Sequence, residues 1–265
     1  MSAPAVDADE IVARLRAVGC VFAEEEAALL LAEAAARGSA PGAPEPLGAL
    51  LARRVAGEPL EHVLGWVGFL GRRYAVAPGV FVPRRRTELL AETAIGLVAP
   101  GDVVIDLCCG CGAIGAAIAA AVPGVEVHAS DVEPAAVEAA RRNLPPQRVV
   151  RGDFLEPLPA ALRGITALIV CNAPYVPTAA IAFMPSEARD HEPRRSLDGG
   201  EDGLDWHRRL AQEAPAWLRP GGAVIVEAAE DQAQASAAIF ASQGFGTHVL
   251  RDDDREATAV LAIAV

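Results

Sequence analysis

Apolar residues recur at every third or fourth position through the first sixty or so residues, then gather into short runs separated by polar, glycine-containing stretches. The first regime predicts helices. Ile11, Leu15 and Val18 fall on one face, as do Leu47, Leu50, Leu51 and Val55 of a later segment. Between them, FAEEEAALLLAEAAARG consists of strong helix formers and stops at Gly38. A Pro/Gly-rich connector, GSAPGAPEP, separates the second helix from the third. The expectation is a small helical domain over residues 1–64.

Residues 66–82, WVGFLGRRYAVAPGVFV, switch to a β-like pattern. They predict two or three short strands with turns at Gly71 and at Pro78 and Gly79, a β-hairpin bridge into the second domain. From Asp102 onward, strands alternate with helices: VVIDL, then AIGAAIAAAV; VEVHASD, then EPAAVEAARRN; QRVVRGDF; ALIVCN; AVIVEA; and finally GTHVLR and ATAVLAIAV. This alternation predicts an α/β domain over residues 65–265, Rossmann-like, with a mostly parallel sheet covered by helices on both faces. The short DDDREA link between the last two runs fits a hairpin, so one of those strands is expected to be antiparallel.

Composition refines this picture. The chain is 52% hydrophobic but only 5% aromatic, so its interior is built from Ala, Val, Leu and Ile. No apolar run reaches the roughly 18 residues of a membrane span. The N-terminus also lacks the basic-then-apolar pattern of a signal peptide. A cytoplasmic protein with no membrane partner is expected. The net charge of −12 opposes a broad grip on phosphate backbones, so no direct nucleic-acid contact is expected. Three of the five cysteines crowd into DLCCGCG, too tightly for the usual zinc spacing and without a second pair, and no metal is expected.

The first strand of the α/β domain ends in DLCCGCGAIG, where Gly110 and Gly112 let backbone approach a ligand closely at the start of a helix. Asp131 ends the second strand, where a carboxylate can accept both ribose hydroxyls. Asp153 and Phe154 follow the third, an acid for an exocyclic adenine amine and a ring to stack on the base. Each acid alone reads equally well as a helix cap or a solvated turn. In order after three successive strands, they favour an adenosine site. The loop lacks a G-x-x-x-x-G-K-[ST] phosphate cradle, while Gly110, Gly112 and Gly115 keep NAD(P) open as an alternative. The acid-first form, Asp106 and then a small-residue loop, resembles the first motif of class I S-adenosylmethionine-dependent methyltransferases.

The fourth strand runs into LIVCNAPYVP. Its Asn172, Ala173, Pro174 and Tyr175 resemble the (N/D)PP(Y/F) motif of methyltransferases that act on planar nitrogen. An amide nitrogen is a poor nucleophile because its lone pair is delocalised. A site that holds both N–H groups can aim the nitrogen's face at a methyl donor. The Asn172 side-chain oxygen and the Ala173 carbonyl are the candidate acceptors, and Tyr175 the candidate wall. Catalysis would then rest on positioning and electrostatics. An ordinary turn is the competing reading, and for an isolated N-x-P-Y it is the better one.

Over nearly its whole length the sequence resembles the protein-(glutamine-N5) methyltransferases, the HemK/PrmC-like enzymes that modify peptide-chain release factors. GEPLEHVLG, VFVPRRRTELLAE, DLCCGCGAIG, SDVEPAAVEAARRN, GDF and CNAPYVP carry the likeness. The most specific stretch is residues 184–210, MPSEARDHEPRRSLDGGEDGLDWHRRL. The resemblance implies S-adenosylmethionine as cofactor and a glutamine-bearing protein of translation as partner, recognised by the N-terminal helices. It implies that Cys108, Cys109, Gly110, Cys111 and Gly112 hold the methionine part, that Asp131 binds ribose, and that Phe154 flanks adenine. Asn172 would lie near the methyl group and, with Ala173, Pro174 and Tyr175, would form the amide pocket. Four departures stand out: Ala173 for the first Pro of NPPY, Arg85 and Arg86 within the family's P-R-P-[ED]-T, and Cys108 for the first loop glycine. Two other readings compete. One is a methyltransferase for an exocyclic amine of DNA or RNA, favoured by the arginines at 84–86; the other is a cofactor-binding protein without activity, favoured by Ala173.

Overall fold

The structure, a computed structural model, describes residues 8–38 and 47–265; the connector after Gly38 lies outside them. The chain divides into two compact units, Met1–Trp66 and Val67–Val265. The first holds helices α1 (Ala8–Ala17), α2 (Ala23–Gly38), α3 (Leu47–Val55) and α4 (Leu60–Leu64). Ile11, Leu15, Ala27, Leu30, Leu50, Leu51 and Val63 form its core. Val18 is not part of the α1 face: the helix ends at Ala17, Gly19 turns the chain at φ 88°, and Val18 is left 51% exposed. Arg54 of α3 reaches back to Glu26 of α2 at 2.6 Å, an ion pair largely out of water.

β1 (Trp66–Phe69), which begins at the last residue of the first unit, and β2 (Arg72–Ala75) form a two-stranded hairpin. Its tip, Leu70 and Gly71, has positive φ at both residues, the two-residue turn that matches the twist of paired strands. No third strand follows. Pro78 and Pro83 lack the N–H groups a ladder needs, and residues 76–84 run as an irregular strap anchored by buried Val76, Val80 and Val82. The strap passes through a short turn, Arg85–Thr87, into α5 (Glu88–Leu97).

Seven strands form the main sheet: β3 (Val103–Leu107), β4 (Glu126–Asp131), β5 (Val149–Arg151), β6 (Thr166–Cys171), β7 (Leu218–Glu227), β8 (Phe245–Asp252) and β9 (Ala257–Ala264). Their order is β5-β4-β3-β6-β7-β9-β8. The first five run parallel, and β9 lies antiparallel between β7 and β8. The remaining helices are α6 (Ala113–Ala121), α7 (Pro134–Asn143), α8 (Ser186–His191), α9 (Asp205–Glu213) and α10 (Ala233–Ser242). Alternate strand residues feed two cores. Val104, Val127, Leu168 and Ile225 pack with α5, α6 and α7, while Ile105, Ile169 and Val224 pack with Leu210 of α9 and Phe240 of α10. All six residues of β6 are buried, as expected of a strand covered on both faces. No described helix is long and apolar enough to cross a membrane.

Where α9 meets α10, His207 is buried with Nδ1 2.7 Å from the Ser236 hydroxyl, and its Nε2 has no partner. Burial, aided by neighbouring Arg208, pushes its pKa down from 6.5 to about 4. The unfolded chain therefore binds a proton first as pH falls. The stability His207 contributes is complete above about pH 6.5 and is lost toward pH 4, on the order of 3 kcal/mol in all. The expected result is that the melting temperature of His207→Gln declines less than that of the parent between pH 7 and pH 4.5. Parallel curves would show that the ring titrates normally.

Candidate active site

Strand register aligns the carboxyl ends of the central strands. Leu107 of β3 pairs with both Ser130 of β4 and Cys171 of β6, and Cys171 pairs with Val226 of β7. The next residue on each strand therefore falls in one row across the sheet: Asp131, Cys108, Asn172 and Glu227. The strand order reverses between β4 and β6 on either side of β3, the position where doubly wound sheets bind ligands.

On one side of the row, the loop after β3 takes left-handed backbone at Cys108 (φ 55°), Gly110 (φ 54°) and Gly112 (φ 74°). Glycine adopts this freely, whereas at Cys108 it costs about 1–2 kcal/mol. The loop is fixed from three directions. Gly110 N–H donates to Asp131 Oδ2 and Asn143 Nδ2 to the Cys111 carbonyl, at 2.9 and 2.8 Å. From below, Gly115 N–H donates to buried Asp106 at 2.8 Å, and burial pushes that carboxyl up to about 8. Asp131 Oδ1 also accepts from Glu133 N–H at 2.9 Å, so the carboxylate is held rigidly while each oxygen keeps a second lone pair.

A cavity of about 320 Å³ opens above this row. Cys108, Cys109, Gly110, Cys111, Asp131, Asp153, Phe154, Asn172, Ala173, Pro174 and Tyr175 all line it. Gly112, assigned from sequence to the cofactor, does not. It faces α7, where an added Cβ would lie 3.0 Å from Leu144 and 3.1 Å from Ala140, so its smallness serves helix packing. At Gly110, by contrast, an added Cβ would meet only the Phe81 carbonyl, at 3.9 Å, and would stand in the cavity. Phe154 is nearly buried, with its ring 5.8 Å from that of Trp206 and 4.6 Å from the Arg209 guanidinium. Arg209 also holds Asp153 at 2.9 Å. Trp206 lines the cavity too and was not singled out from sequence. A rigid carboxylate, a glycine loop open to the cavity and an aromatic wall make a donor set that fits S-adenosylmethionine.

On the other side of the row, Asn172 Nδ2 donates to the Thr87 hydroxyl at 3.4 Å, and the Tyr175 hydroxyl donates to Glu227 Oε1 at 2.8 Å. Burial raises the pKa of Tyr175, and the charge of Glu227 adds to the effect. Burial also raises that of Glu227, opposed by the Thr87 and Tyr175 hydroxyls and by Arg86 and Arg84. Thr87 and Glu227 were missed in the sequence. The available signal was an acid closing the apolar run AVIVE, the same position Asn172 holds in LIVCN.

Residues 184–210 fold back over the 172–175 turn. Val176 N–H donates to the Leu197 carbonyl at 3.1 Å, and Gly199 N–H to the Val176 carbonyl at 2.9 Å. Gln232 Nε2 bridges the Tyr175 and Asp202 carbonyls, each at 2.9 Å. Buried Glu192 takes Arg84 at 2.6 Å and the Val82 N–H at 3.2 Å, which ties this segment to the strap.

The family described as "Methyltransferase small domain" matches residues 75–186. A release factor glutamine methyltransferase of Streptomyces coelicolor is 44% identical over 189 residues, 69% of this chain and 67% of that protein. The chain belongs to the release factor glutamine methyltransferase family. A 4-amino-L-phenylalanine/4-methylamino-L-phenylalanine methyltransferase of Streptomyces pristinaespiralis is 36% identical over 74% of this chain and 70% of its own length. Among solved structures, a methyltransferase from Pyrococcus furiosus shares the fold, with TM-score 0.56 at 17% identity over 81% of this chain and 98% of the other.

As a member of the release factor glutamine methyltransferase family, the protein is an S-adenosylmethionine-dependent enzyme, and its departures from the usual motifs can be located. Cys108 carries the strained turn beside Asn172. Ala173 is buried against the core. Arg86, in place of the family's acid, lines the cavity with its Nε 3.4 Å from Glu227. Arg85 is exposed.

Proposed function

We propose that this enzyme methylates the side-chain amide nitrogen of a glutamine in a peptide-chain release factor. The observation that carries the reading is a single cavity lined both by the loop 108–111 with Asp131 and by the turn 172–175. When bound, S-adenosylmethionine supplies a methyl carbon made electrophilic by its sulfonium. The loop and Asp131 orient the cofactor, with the acid accepting from the ribose hydroxyls and Asp153 and Phe154 bordering the adenine. Asn172 Oδ1 and the Ala173 carbonyl accept the two N–H groups of the substrate amide. Pro174 stiffens the turn, and Tyr175, locked by Glu227, flanks the amide plane. Held this way, the nitrogen presents its face rather than its protons to the methyl carbon. Alignment to about 3–3.5 Å supplies the larger part of the acceleration; as the nitrogen takes the methyl group, the neutral thioether would be the leaving group and one amide N–H proton would pass to solvent, so no dedicated base is needed.

The helical unit is assigned the recognition of the release factor, in the cytoplasm where translation ends. Direct nucleic-acid contact is no part of this reading, and the net charge of −12 opposes it.

The test is label transfer from methyl-labelled S-adenosylmethionine to a release factor carrying Gly-Gly-Gln, offered beside 4-aminophenylalanine, DNA and RNA. The expected result is a single methyl gain on the glutamine. Label found only on an arylamine or a nucleic acid, or on nothing, would overturn it.

A further inference from the structure

Of the four departures from the family motifs, Arg86 is the one that places a cation on the cavity wall. Arg85 is exposed and does not line the cavity, and Cys108 and Ala173 bring no positive charge. The Arg86 side chain is half-exposed, and its Nε forms an ion pair with Glu227 Oε1 at 3.4 Å. The same carboxylate oxygen already accepts from the Tyr175 hydroxyl at 2.8 Å. Among the described residues the Arg86 guanidinium makes no hydrogen bond, so its five N–H donors remain for water or a ligand. The other cations on the wall are placed differently. Arg84 donates to buried Glu192 at 2.6 Å, and Arg195, more exposed, lies 3.9 Å from Glu133.

A substrate entering this cavity displaces water from Arg86, and guanidinium donors left unmet on binding are costly. The substrate's own amide oxygen is a poor partner for them. A cation there would draw the nitrogen lone pair further into the carbonyl and weaken the nucleophile. The partner is then a second group on the substrate, and a carboxylate matches the guanidinium fork in charge and in two parallel hydrogen bonds. We propose that Arg86 is a specificity-determining residue that selects substrates bearing a carboxylate beside the glutamine amide. The source of that carboxylate is an acidic side chain next to the glutamine or a free α-carboxylate. This rests on the reading of the 172–175 turn as an amide pocket. It adds a charge requirement that the family's acid at this position would oppose.

The test compares three peptides as methyl acceptors for the full chain with S-adenosylmethionine. They are acetyl-Gly-Gly-Gln-Ala amide, which is neutral; acetyl-Gly-Gly-Gln-Glu amide; and acetyl-Gly-Gly-Gln with a free carboxyl end. For the better of the two carboxylate peptides, kcat/KM is expected to exceed that of the neutral one about tenfold, between the effects of a fully exposed and a buried ion pair. Which of the two leads identifies the source of the carboxylate. The preference shrinks as salt is raised. Arg86→Gln is expected to bring the ratio to within about twofold, chiefly through KM, and Arg86→Lys to keep part of it. Arg85→Gln removes the same charge outside the cavity and keeps the full ratio. Because the ratio compares substrates on one enzyme preparation, partial unfolding of a variant lowers both rates and leaves it readable. Equal rates for neutral and carboxylate peptides would overturn the proposal. So would a preference that survives Arg86→Gln, in which case Arg86 serves only to neutralise Glu227, or one lost equally in Arg85→Gln. If the peptides are methylated on glutamine without preference, only this inference fails. If neither they nor a release factor take a methyl group there, the amide-pocket reading has failed and this inference with it.

Discussion

Asn172→Ala is expected to lower kcat on a glutamine acceptor by at least about a hundredfold, equivalent to some 3 kcal/mol of transition-state stabilisation. S-adenosylmethionine affinity should change little. The asymmetry follows from the geometry. The cofactor side is held by groups that do not depend on Asn172: the loop 108–111 is pinned by Asp131 at 2.9 Å and by Asn143 at 2.8 Å. The substrate side depends on Asn172 for one of two acceptors. Removing its oxygen leaves one substrate N–H unmatched and frees the nitrogen to rotate out of line. The Ala side chain also leaves the Thr87 hydroxyl without its donor, a smaller loss at a buried position. Single-turnover kinetics with saturating cofactor, together with a direct binding titration, separate the two sides. Equal losses of binding and turnover would place Asn172 in cofactor binding instead.

How far the sequence anticipates this site can be judged residue by residue. Asp131 and Asn172 are legible because each is a polar residue closing a strand before a helix or a proline turn, and such ends meet at the switch point of a doubly wound sheet. Glu227 closes its strand in the same way, yet its place beside Asn172 depends on the pairing of Cys171 with Val226, which no local pattern encodes. Trp206 joins Phe154 at the cavity from a distant helix, through a contact that periodicity does not show. Gly112 looks identical to Gly110 in the string CCGCG, but one faces helix α7 and the other the cavity. In the strap, valine-rich spacing suggests a third strand, and the prolines that prevent it lie in the same stretch. Residues 184–210 are recognisable by resemblance alone, and their physical task of holding the 172–175 turn emerges only from the backbone hydrogen bonds at Val176 and Gly199.

That clamp gives a second large effect at a glycine outside the motif. Gly203→Ala is expected to lower kcat about a hundredfold while Gly221→Ala leaves it within a few-fold, although both glycines have left-handed backbone, φ 78° and 71°. The shared conformation imposes about 1 kcal/mol on any residue with a Cβ. The surroundings differ. At Gly221 an added Cβ meets nothing within 4 Å, so the variant loses only that backbone term. At Gly203 the same atom would overlap the Tyr175 carbonyl oxygen and the Gln232 side-chain nitrogen. Gln232 Nε2 is what holds the Tyr175 carbonyl at 2.9 Å, so relief must come by breaking that bond or by moving the turn itself. Either displaces Ala173 and Tyr175 relative to the loop 108–111, and misplacement by about 1 Å is enough for a hundredfold loss. The cofactor side does not move, so S-adenosylmethionine binding should persist in Gly203→Ala. Melting temperatures measured alongside kcat keep the comparison clean. If both variants lose stability equally and neither loses turnover, the 172–175 turn is held from elsewhere, and residues 184–210 are a scaffold with no part in aligning the amide.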